Sequence, residues 1–495
     1  MKDGYLNKNQ NFTNRSSCIF PILISDINDV NIVFLNYWHI KNNMRSILCN
    51  IRIHNEKGEQ IKFFNLKVTD NYYNISIKTI LGSENFFKGI ANIEFISEEN
   101  FGFTFPAVTA FYSSGSNFSG VHTAGRIKNT EESKIPGKII ETNWRCKWSQ
   151  DITPFFTLFN GSIRGEKKYA KLRILDPNKE LIAAKDIPID LIEPFSNKFF
   201  FLDDFFDFNT LNLIDNTFVE VETPYTDFFP RMICGNFFKK ESFLEVTHSF
   251  ESQEDNPDYL IEVKKNDSEN CRIPSINPIA TTDDLNLKLL FFPTNCAGNA
   301  IGSWRSGDFG YPLINSKEKF EWICGGSKSK LKEIVIDNGN KIKALDICKG
   351  KIPTRINTNY IYSVANANTR YSTDIAAGQI TEHFPPKRFT WGHGIIGKDY
   401  KTILFLTSFS HDKSTRVDAN GKLTLYIGEY KFESKHIIPS GTGIKINLDN
   451  LIQGRIKSNK PQLISWYYSQ DCRTKLIAYW ISYTDSGKIT GDHAY

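Results

Sequence analysis

Residues Phe155–Asn160 (FFTLFN) open a segment of the chain that closes with Glu245–Phe250 (EVTHSF). Between them, Tyr169–Ile182 contains two runs of alternating apolar residues around the tetrapeptide Asp176–Lys179 (DPNK). Alternation with period two puts apolar side chains on one face of a strand, and a short polar tetrapeptide with proline between two such runs is typical of a β-hairpin. We therefore predict that this segment is a β-sandwich.

A common spacing indicates that the rest of the chain repeats this segment. Four apolar runs end at Asn36, Asn160, Asn295 and Thr407. A histidine lies 86 positions after Asn36 and Thr407, and 88 positions after Asn160 and Asn295. These histidines are His122, His248, His383 and His493. Because four of the nine histidines share one position, the spacing predicts four copies of the sandwich.

Two tryptophans indicate that the copies are arranged in pairs. Trp144 lies 16 positions before Asn160 and Trp391 lies 16 positions before Thr407, whereas the first and third copies have no tryptophan there. The pattern predicts a duplicated two-domain unit in which Trp144 and Trp391 hold a repeated core position. The predicted domains are residues 1–130, 137–251, 270–385 and 386–495, with breaks near 130, 265 and 386.

The composition favours an all-β protein with immunoglobulin-like sandwiches. Aromatic residues make up 14% of the 495 residues, with 39 Phe against 3 Met. The apolar runs are rich in Ile, Val, Phe and Tyr, which suit a pleated and half-buried surface. Extended helical periodicity is absent, so four tandem immunoglobulin-like domains are the predicted architecture.

Charge, apolar run length and cysteine content argue against a nucleic-acid partner, a membrane span and an oxidising compartment. The 60 basic and 55 acidic residues give a formal charge of +5 without a basic stripe, which argues against a nucleic-acid partner. No apolar run reaches the length of a membrane span, and no signal peptide is apparent. Nine scattered cysteines cannot all pair with one another, so we expect thiols in a reducing, cytoplasmic setting.

The repeated histidines are expected to be structural. A histidine at the end of a final strand can fix that end through its ring nitrogens. A metal site needs three or four converging ligands, and the four histidines fall in four different copies. We therefore expect no metal, and the sequence indicates no cofactor.

Motifs for catalysis are also absent. The chain has neither a G-x-S-x-G elbow nor a glycine-rich phosphate loop. The adjacent carboxylates Asp203-Asp204 and Asp283-Asp284 point to opposite faces if they lie in strands, which favours surface positions over acid–base chemistry. A non-enzymatic role is the leading hypothesis.

Two aromatic stretches are candidates for ligand binding. Gly298–Leu313 is interpreted as an insertion loop whose Trp304, Arg305 and Tyr311 stack on sugar rings or anchor a protein partner. Phe199–Phe208 (FFFLDDFFDF) is interpreted as a core strand followed by a helical turn, with an exposed ligand platform as the alternative.

The sequence thus predicts a multi-domain protein with a binding or structural role and a polysaccharide or protein partner. The first alternative is a carbohydrate-active enzyme whose site lies in a groove between paired domains. The second alternative is a self-assembling surface component, for which an exposed edge strand would be the sign.

Overall fold

The computed structural model shows a chain that is almost entirely β-structure with several antiparallel sheets. The residues that the structure describes are 13–82, 86–102, 106–122, 125–127, 138–224, 228–229, 231–251, 260–263, 275–293, 298–306, 319–325, 330–336, 342–353, 357–377, 380–381, 386–397, 399–410, 417–452 and 460–495. The all-β class expected from the composition is confirmed.

The chain divides into two compact units. The first contains residues 1–176 and 180–251, and the second contains residues 177–179 and 252–495. The predicted breaks near 130 and 265 fall at residues outside the described ranges. The four predicted domains and the three breaks between them stay predictions.

The first pair of sheets is built from the first half of unit 1. Its strands are β1 (Arg15–Ile24), β2 (Asn28–Leu35), β3 (Ile47–Asn55), β4 (Gln60–Lys67), β5 (Tyr72–Ser76), β6 (Phe87–Ser97), β7 (Val108–Ser114) and β8 (Asn117–His122), with helices α1 (Tyr37–Asn42) and α2 (Ile77–Leu81). One sheet has the order β1-β6-β3-β4 and the other β5-β2-β7-β8. A short strand β9 (Arg126–Ile127) follows.

The second pair of sheets completes unit 1. Its strands are β10 (Lys138–Arg145), β11 (Ile152–Phe159), β12 (Lys168–Leu175), β13 (Leu181–Ile189), β14 (Asn197–Phe201), β15 (Phe218–Pro224), β16 (Phe228–Phe229), β17 (Ile233–Phe238), β18 (Phe243–His248) and β19 (Phe250–Glu251). The sheets are β13-β12-β15-β10-β19 and β14-β11-β17-β18, while β16 pairs with β9. Two 3₁₀ turns, Leu202–Asp204 and Phe208–Thr210, lie between β14 and β15.

Unit 2 begins with a third pair of sheets. Its strands are β20 (Leu260–Val263), β21 (Ser275–Ala280), β22 (Leu285–Phe291), β23 (Gly298–Ser306), β24 (Lys319–Gly325), β25 (Lys332–Ile336), β26 (Ile342–Pro353), β27 (Thr358–Val364), β28 (Thr373–Ala377) and β29 (Ile380–Thr381). One sheet has the order β24-β23-β26-β21-β29, with β20 also on β26, and the other has the order β25-β22-β27-β28.

The fourth set of strands ends the chain. It contains β30 (Lys387–Ile396), β31 (Tyr400–Phe409), β32 (Ala419–Ile427), β33 (Tyr430–Ile438), β34 (Thr442–Asn447), β35 (Gln462–Thr484) and β36 (Ile489–His493), with the short helix α3 (Asp449–Ile452). The 23-residue β35 serves two sheets: its first part lies between β30 and β32, and its second part lies between β31 and β36.

Clusters of apolar side chains pack between the sheets. In the second pair, one core cluster combines Trp144 of β10 and Leu172 of β12 with Phe156 of β11 and Phe200 of β14, which belong to the opposite sheet. In unit 2, another cluster joins the inner strands β22 and β27 to β31 and β35. Burial alternates along the first five residues of β22 (Leu285–Phe291), which is the period-two pattern that builds these layers.

The hairpin predicted at Asp176–Lys179 is present, and a second hairpin turns at Asn55–Gly58. Strand β12 pairs with β13 around the turn at Asp176–Lys179, where Lys179 has φ 66°. Strand β3 pairs with β4 around Asn55–Gly58, and Gly58 has φ 88°. The Asn55 side chain closes the second turn by accepting hydrogen bonds from the backbone of Lys57 and Glu59, both at 3.0 Å.

The turn at Asn55–Gly58 also joins the two sandwiches of unit 1. The backbone N–H of Asn197 donates to the Glu56 carbonyl at 3.0 Å, and its side-chain amide donates to the Asn55 carbonyl at 2.8 Å. A Cβ atom on Gly58 would lie 2.1 Å from the carbonyl oxygen of Pro194. The turn therefore needs glycine both for its positive φ and for this close approach.

The prediction of an insertion loop at Gly298–Leu313 is wrong for the first nine residues of that segment. Gly298–Ser306 is strand β23, which is paired with β24 on one side and with β26 on the other. The segment extends a sheet because its backbone finds two hydrogen-bonding neighbours, a long-range arrangement that its glycine content does not indicate. Residues 307–313 lie outside the described ranges.

Two further observations concern membranes and thiols. No helix in the described part of the chain has the length and apolar character needed to cross a lipid bilayer. Cys18 and Cys49 are buried in the first sandwich, and burial raises the pKa of both thiols. A raised pKa keeps them protonated and poorly nucleophilic at neutral pH, as expected for cysteines that serve as apolar core residues.

Replacing Gly58 by alanine is predicted to destabilise unit 1 by about 2–4 kcal/mol, because a positive φ and a backbone collision act together. The matched control is Gly115→Ala, since Gly115 has φ 58° but no atom within 4 Å of an added Cβ. That variant should lose only about 1–2 kcal/mol. Urea unfolding of both variants measures the difference, and equal losses would show that the Pro194 contact does not matter.

Candidate functional site

The described residues form a cleft at one end of the second sandwich. Its volume is about 520 Å³, within the range of roughly 300–1,000 Å³ that is usual for small-molecule sites. It lies beside the two 3₁₀ turns that follow β14, the segment between β10 and β11, and the turn between β17 and β18. The lining residues are Trp148, Ser149, Gln150, Asp203, Asp204, Phe205, Phe206, Asp207, Phe208, Asn209 and Lys239.

The aromatic stretch singled out from the sequence shapes this cleft. Phe200 on β14 enters the core and stacks on Phe156, with ring centroids 4.9 Å apart and an interplanar angle of 5°. After Phe201 the chain leaves the sheet and makes the two 3₁₀ turns. The expected core strand and helical turn are both present, and the turn carries the residues that face the cleft.

Aromatic rings form one side of the cleft. Trp148 is half-buried and stacks on the buried Phe208, with centroids 5.6 Å apart and planes 21° from parallel. Phe206 meets Phe208 edge-on at 6.3 Å. These contacts hold the Trp148 ring in place while part of it stays accessible, which is the arrangement of a stacking platform.

Carboxyl and amide groups form the rest of the lining. Asp203 pairs with the Lys239 ammonium at 2.5 Å and accepts a hydrogen bond from the Thr153 hydroxyl at 2.9 Å. Asp207 accepts hydrogen bonds from the backbone and side-chain amide of Asn209, each at 3.1 Å, and thereby caps the second 3₁₀ turn. Asp204 is exposed.

The charge of the lining selects among ligands. Three aspartates and one lysine give the cleft an excess of acidic groups. Phosphates and other anions would be repelled, whereas neutral or cationic polar ligands would not. The amide and carboxyl oxygens supply hydrogen-bond acceptors beside an apolar ring surface.

The ligand-binding residues expected from the sequence lie elsewhere. Trp304 and Arg305 are in strand β23, where their backbones pair with Leu345 and Ala344 of β26. Tyr311 lies outside the described residues. Ligand binding by Trp304, Arg305 and Tyr311 stays a prediction, but a loop cannot be its basis for the first two.

Three of the four repeated histidines end strands. His122 is the last residue of β8, His248 of β18 and His493 of β36, while His383 lies outside the described residues. Trp144 and Trp391 each lie in the opening strand of a sandwich, β10 and β30, and are 1% and 7% exposed.

Within unit 1 the structure brings two of these histidines together. The rings of His122 and His248 have centroids 4.5 Å apart and are nearly perpendicular, at 88°. The sequence assigns these two histidines to different predicted copies, yet their rings are in contact. The sequence could not reveal the contact, because it depends on how β8 and β18 pack.

Another buried histidine was not singled out by its sequence context. His393 on β30 is fully buried, and its Nδ1 lies 2.7 Å from the Ser465 hydroxyl. Burial lowers the pKa of His393 to about 3, against an opposing effect of the Asp492 carboxylate. The imidazole is thus neutral in the folded protein at pH values well above 3.

This histidine is predicted to make the fourth sandwich less stable in acid. The unfolded chain binds a proton at His393 near pH 6.5 and the folded chain does not, so stability falls as pH drops from about 6.5 towards 3, by up to about 1.4 kcal/mol per pH unit.

His393→Gln should remove this pH-dependent loss of stability. His436→Gln, at a half-buried position, should remove a smaller pH-dependent loss. Pulse-labelling hydrogen exchange of peptides spanning 387–396, after incubation in urea at each pH, measures the slope. An unchanged slope in His393→Gln would contradict the assignment.

Comparison with known protein families and with curated proteins finds no match. The function must therefore be argued from the chemistry of the groups that the fold brings together. The aromatic and acidic cleft of unit 1 brings such groups together.

Proposed function

We propose that this protein is a non-enzymatic glycan-binding protein and that the cleft on the second sandwich holds the sugar. The observation that carries the proposal is the half-exposed Trp148 ring, fixed on Phe208 and bordered by carboxyl and amide groups. A scaffold of β-sandwiches would present this cleft at a rigid edge.

The chemistry of a sugar ring matches both sides of the cleft. The C–H groups on one face of a pyranose form an apolar surface that packs on an aromatic ring, while its hydroxyls both donate and accept hydrogen bonds. Asp204, Gln150 and Asn209 are exposed polar residues beside the Trp148 platform. Because the cleft is acidic, a neutral or amino sugar fits better than an acidic one.

A carbohydrate-active enzyme is the second candidate, because several carboxyl groups line the cleft. Glycoside hydrolysis uses one carboxyl group as acid and another as base or nucleophile. Here Asp203 is engaged by Lys239 and Thr153, and Asp207 caps a 3₁₀ turn. With both engaged in local structure, binding is better supported than hydrolysis.

Self-assembly through strand edges is less well supported. The outer strands β4, β13 and β33 are largely exposed, but each carries lysines: Lys62 and Lys67, Lys185, and Lys431 and Lys435. Strand β13 also contains Pro188. Charged side chains and proline on an edge oppose the addition of another strand.

We also infer a duplicated two-sandwich architecture. Numbering the main strands of each sandwich from one to eight, the orders 1-6-3-4 and 5-2-7-8 recur in all four sheet pairs, with β35 counted as strands six and seven. This recurrence supports four copies. The order differs from the seven-strand order of a constant-type immunoglobulin domain, so the immunoglobulin-like description is kept only for the sandwich class.

Replacing Trp148 by alanine is predicted to weaken glycan binding by about 1–3 kcal/mol, the usual effect of removing an aromatic anchor. The matched control is Tyr169→Ala, because Tyr169 is 69% exposed on the same sandwich and does not line the cleft. An array of neutral, amino and acidic oligosaccharides identifies the probe, and calorimetry with that probe measures the affinity of each variant.

Three outcomes would contradict the proposal. One is that no oligosaccharide on the array binds, and another is that Tyr169→Ala weakens binding as much as Trp148→Ala. A third is that the wild type releases new reducing ends and Asp204→Asn abolishes this release, which would establish the enzyme instead.

A further inference from the structure

The histidine pair in unit 1 lies where two sandwiches meet. Strands β8 and β18 are the last main strands of their sheets, and His122 and His248 end them. The side chains are buried, at 6% and 2% exposure. Their ligating nitrogens lie within 4.8 Å of each other.

We propose that His122 and His248 are ligands of a divalent transition-metal ion, such as Zn²⁺. Two imidazole nitrogens bound to one tetrahedral zinc ion are roughly 3.4 Å apart, as follows from Zn–N distances of about 2.0–2.1 Å. From a separation within 4.8 Å, the two nitrogens would have to approach each other by at most about 1.4 Å. Imidazole is a preferred ligand of Zn²⁺, Cu²⁺, Ni²⁺ and Co²⁺.

The tautomer of His248 suits this role. Its Nδ1 lies 2.9 Å from the Ser249 carbonyl oxygen, and because a carbonyl only accepts, Nδ1 carries the proton. The lone pair therefore resides on Nε2. Metal-binding histidines usually donate their other N–H to a carbonyl or carboxylate in this way, which fixes the ring and raises its basicity.

Ser249 is itself held firmly by its neighbours. Its backbone N–H donates to the Met232 carbonyl at 2.9 Å, and its hydroxyl accepts from the Met232 N–H at 3.0 Å. The same hydroxyl donates to the buried carboxyl group of Glu141. The chain from Glu141 through Ser249 to His248 places an acidic group close to the site, where it offsets the charge of a cation.

The two strand ends are also fixed relative to each other. The Ser119 hydroxyl of β8 accepts a hydrogen bond from the Val246 N–H of β18 at 2.9 Å. At the far end of the interface, Ser114 donates to the Glu241 carbonyl. The pair is thus preorganised, which lowers the entropy lost when an ion binds.

Ring packing alone would be a different use of a buried histidine, and unit 1 contains an example. His54 is buried, has Nδ1 3.0 Å from the Gly58 carbonyl, and stacks on Phe195 at 4.5 Å. It shares the burial and the tautomer of His248 but faces a phenyl ring. His54 is therefore the matched control.

The experiment uses the full chain, purified without a histidine tag and freed of metal by chelation. Zinc or cobalt is added, bound metal is counted per chain, and X-ray absorption of the loaded wild type counts imidazole ligands. That spectrum also shows whether water or further side chains complete the coordination. We expect one ion bound by at least two imidazoles, with a rise in the thermal midpoint of the protein.

His122→Gln and His248→Gln should each weaken metal binding at least about 100-fold. Loss of a residue that only hydrogen-bonds to a metal ligand typically weakens binding about 10–100-fold, and loss of the ligand itself should cost more. His54→Gln should bind as tightly as the wild type. Failure of the wild type to bind either ion, an absorption spectrum without two imidazoles, or equal weakening by His54→Gln would overturn the proposal. The X-ray absorption spectrum of the metal-loaded wild type tests the proposal even if a variant does not fold.

Discussion

The burial of both faces of strand β11 is the constraint on which unit 1 depends. All eight residues of Ile152–Phe159 are buried. One face fills the second sandwich, where Phe156 packs with Phe200. At the end of the strand, Phe159 packs with Ile19 and Ile90 of the first sandwich. A strand that is apolar on both faces cannot remain at a surface, so its sequence requires a second layer on each side. The first sandwich supplies part of that layer, which is why the two sandwiches of unit 1 form one compact unit.

Charged groups then set the alignment of neighbouring strands. In the first sandwich, the carboxylate of Glu94 on β6 pairs with Arg15 and Arg52, on the strands at either side. In the second, Arg173 on β12 pairs with Glu220 at 2.7 Å on β15. Such partly buried pairs contribute little net stability, because desolvation offsets most of their attraction. Their larger effect is on register: a slip by one residue would move each charge to the apolar face, where it would have no partner.

Local sequence patterns predicted the parts of this protein that local forces determine. The hairpin turn predicted at Asp176–Lys179 depends on a few residues with known backbone preferences, and it is present. The glycines near Trp304 favoured a loop, yet long-range pairing with two strands made that segment a strand. The contact of His122 with His248 was missed for the same reason, since no local pattern encodes how two sandwiches pack. The sequence singled out the aromatic run that lines one part of the cleft. It could not indicate that the fold places Lys239, from another turn, beside that run.

A shared connection explains why the cleft arises where it does. The segment between the fifth and sixth strands contains a helical turn in every sandwich where it is described: α2 in the first, the 3₁₀ turns in the second and α3 in the fourth. In the first sandwich, Asp29 of β2 accepts from the Lys78 N–H at 3.0 Å; in the second, Thr153 of β11 donates to Asp203 at 2.9 Å. Asp29 and Thr153 each lie seven residues before the asparagine that starts the repeat spacing. The corresponding anchoring position thus holds a short turn in one sandwich and a longer aromatic and acidic turn in the other. Loops vary on a rigid scaffold at little cost to its core, so binding chemistry can be added to one sandwich while the strand order of both is kept.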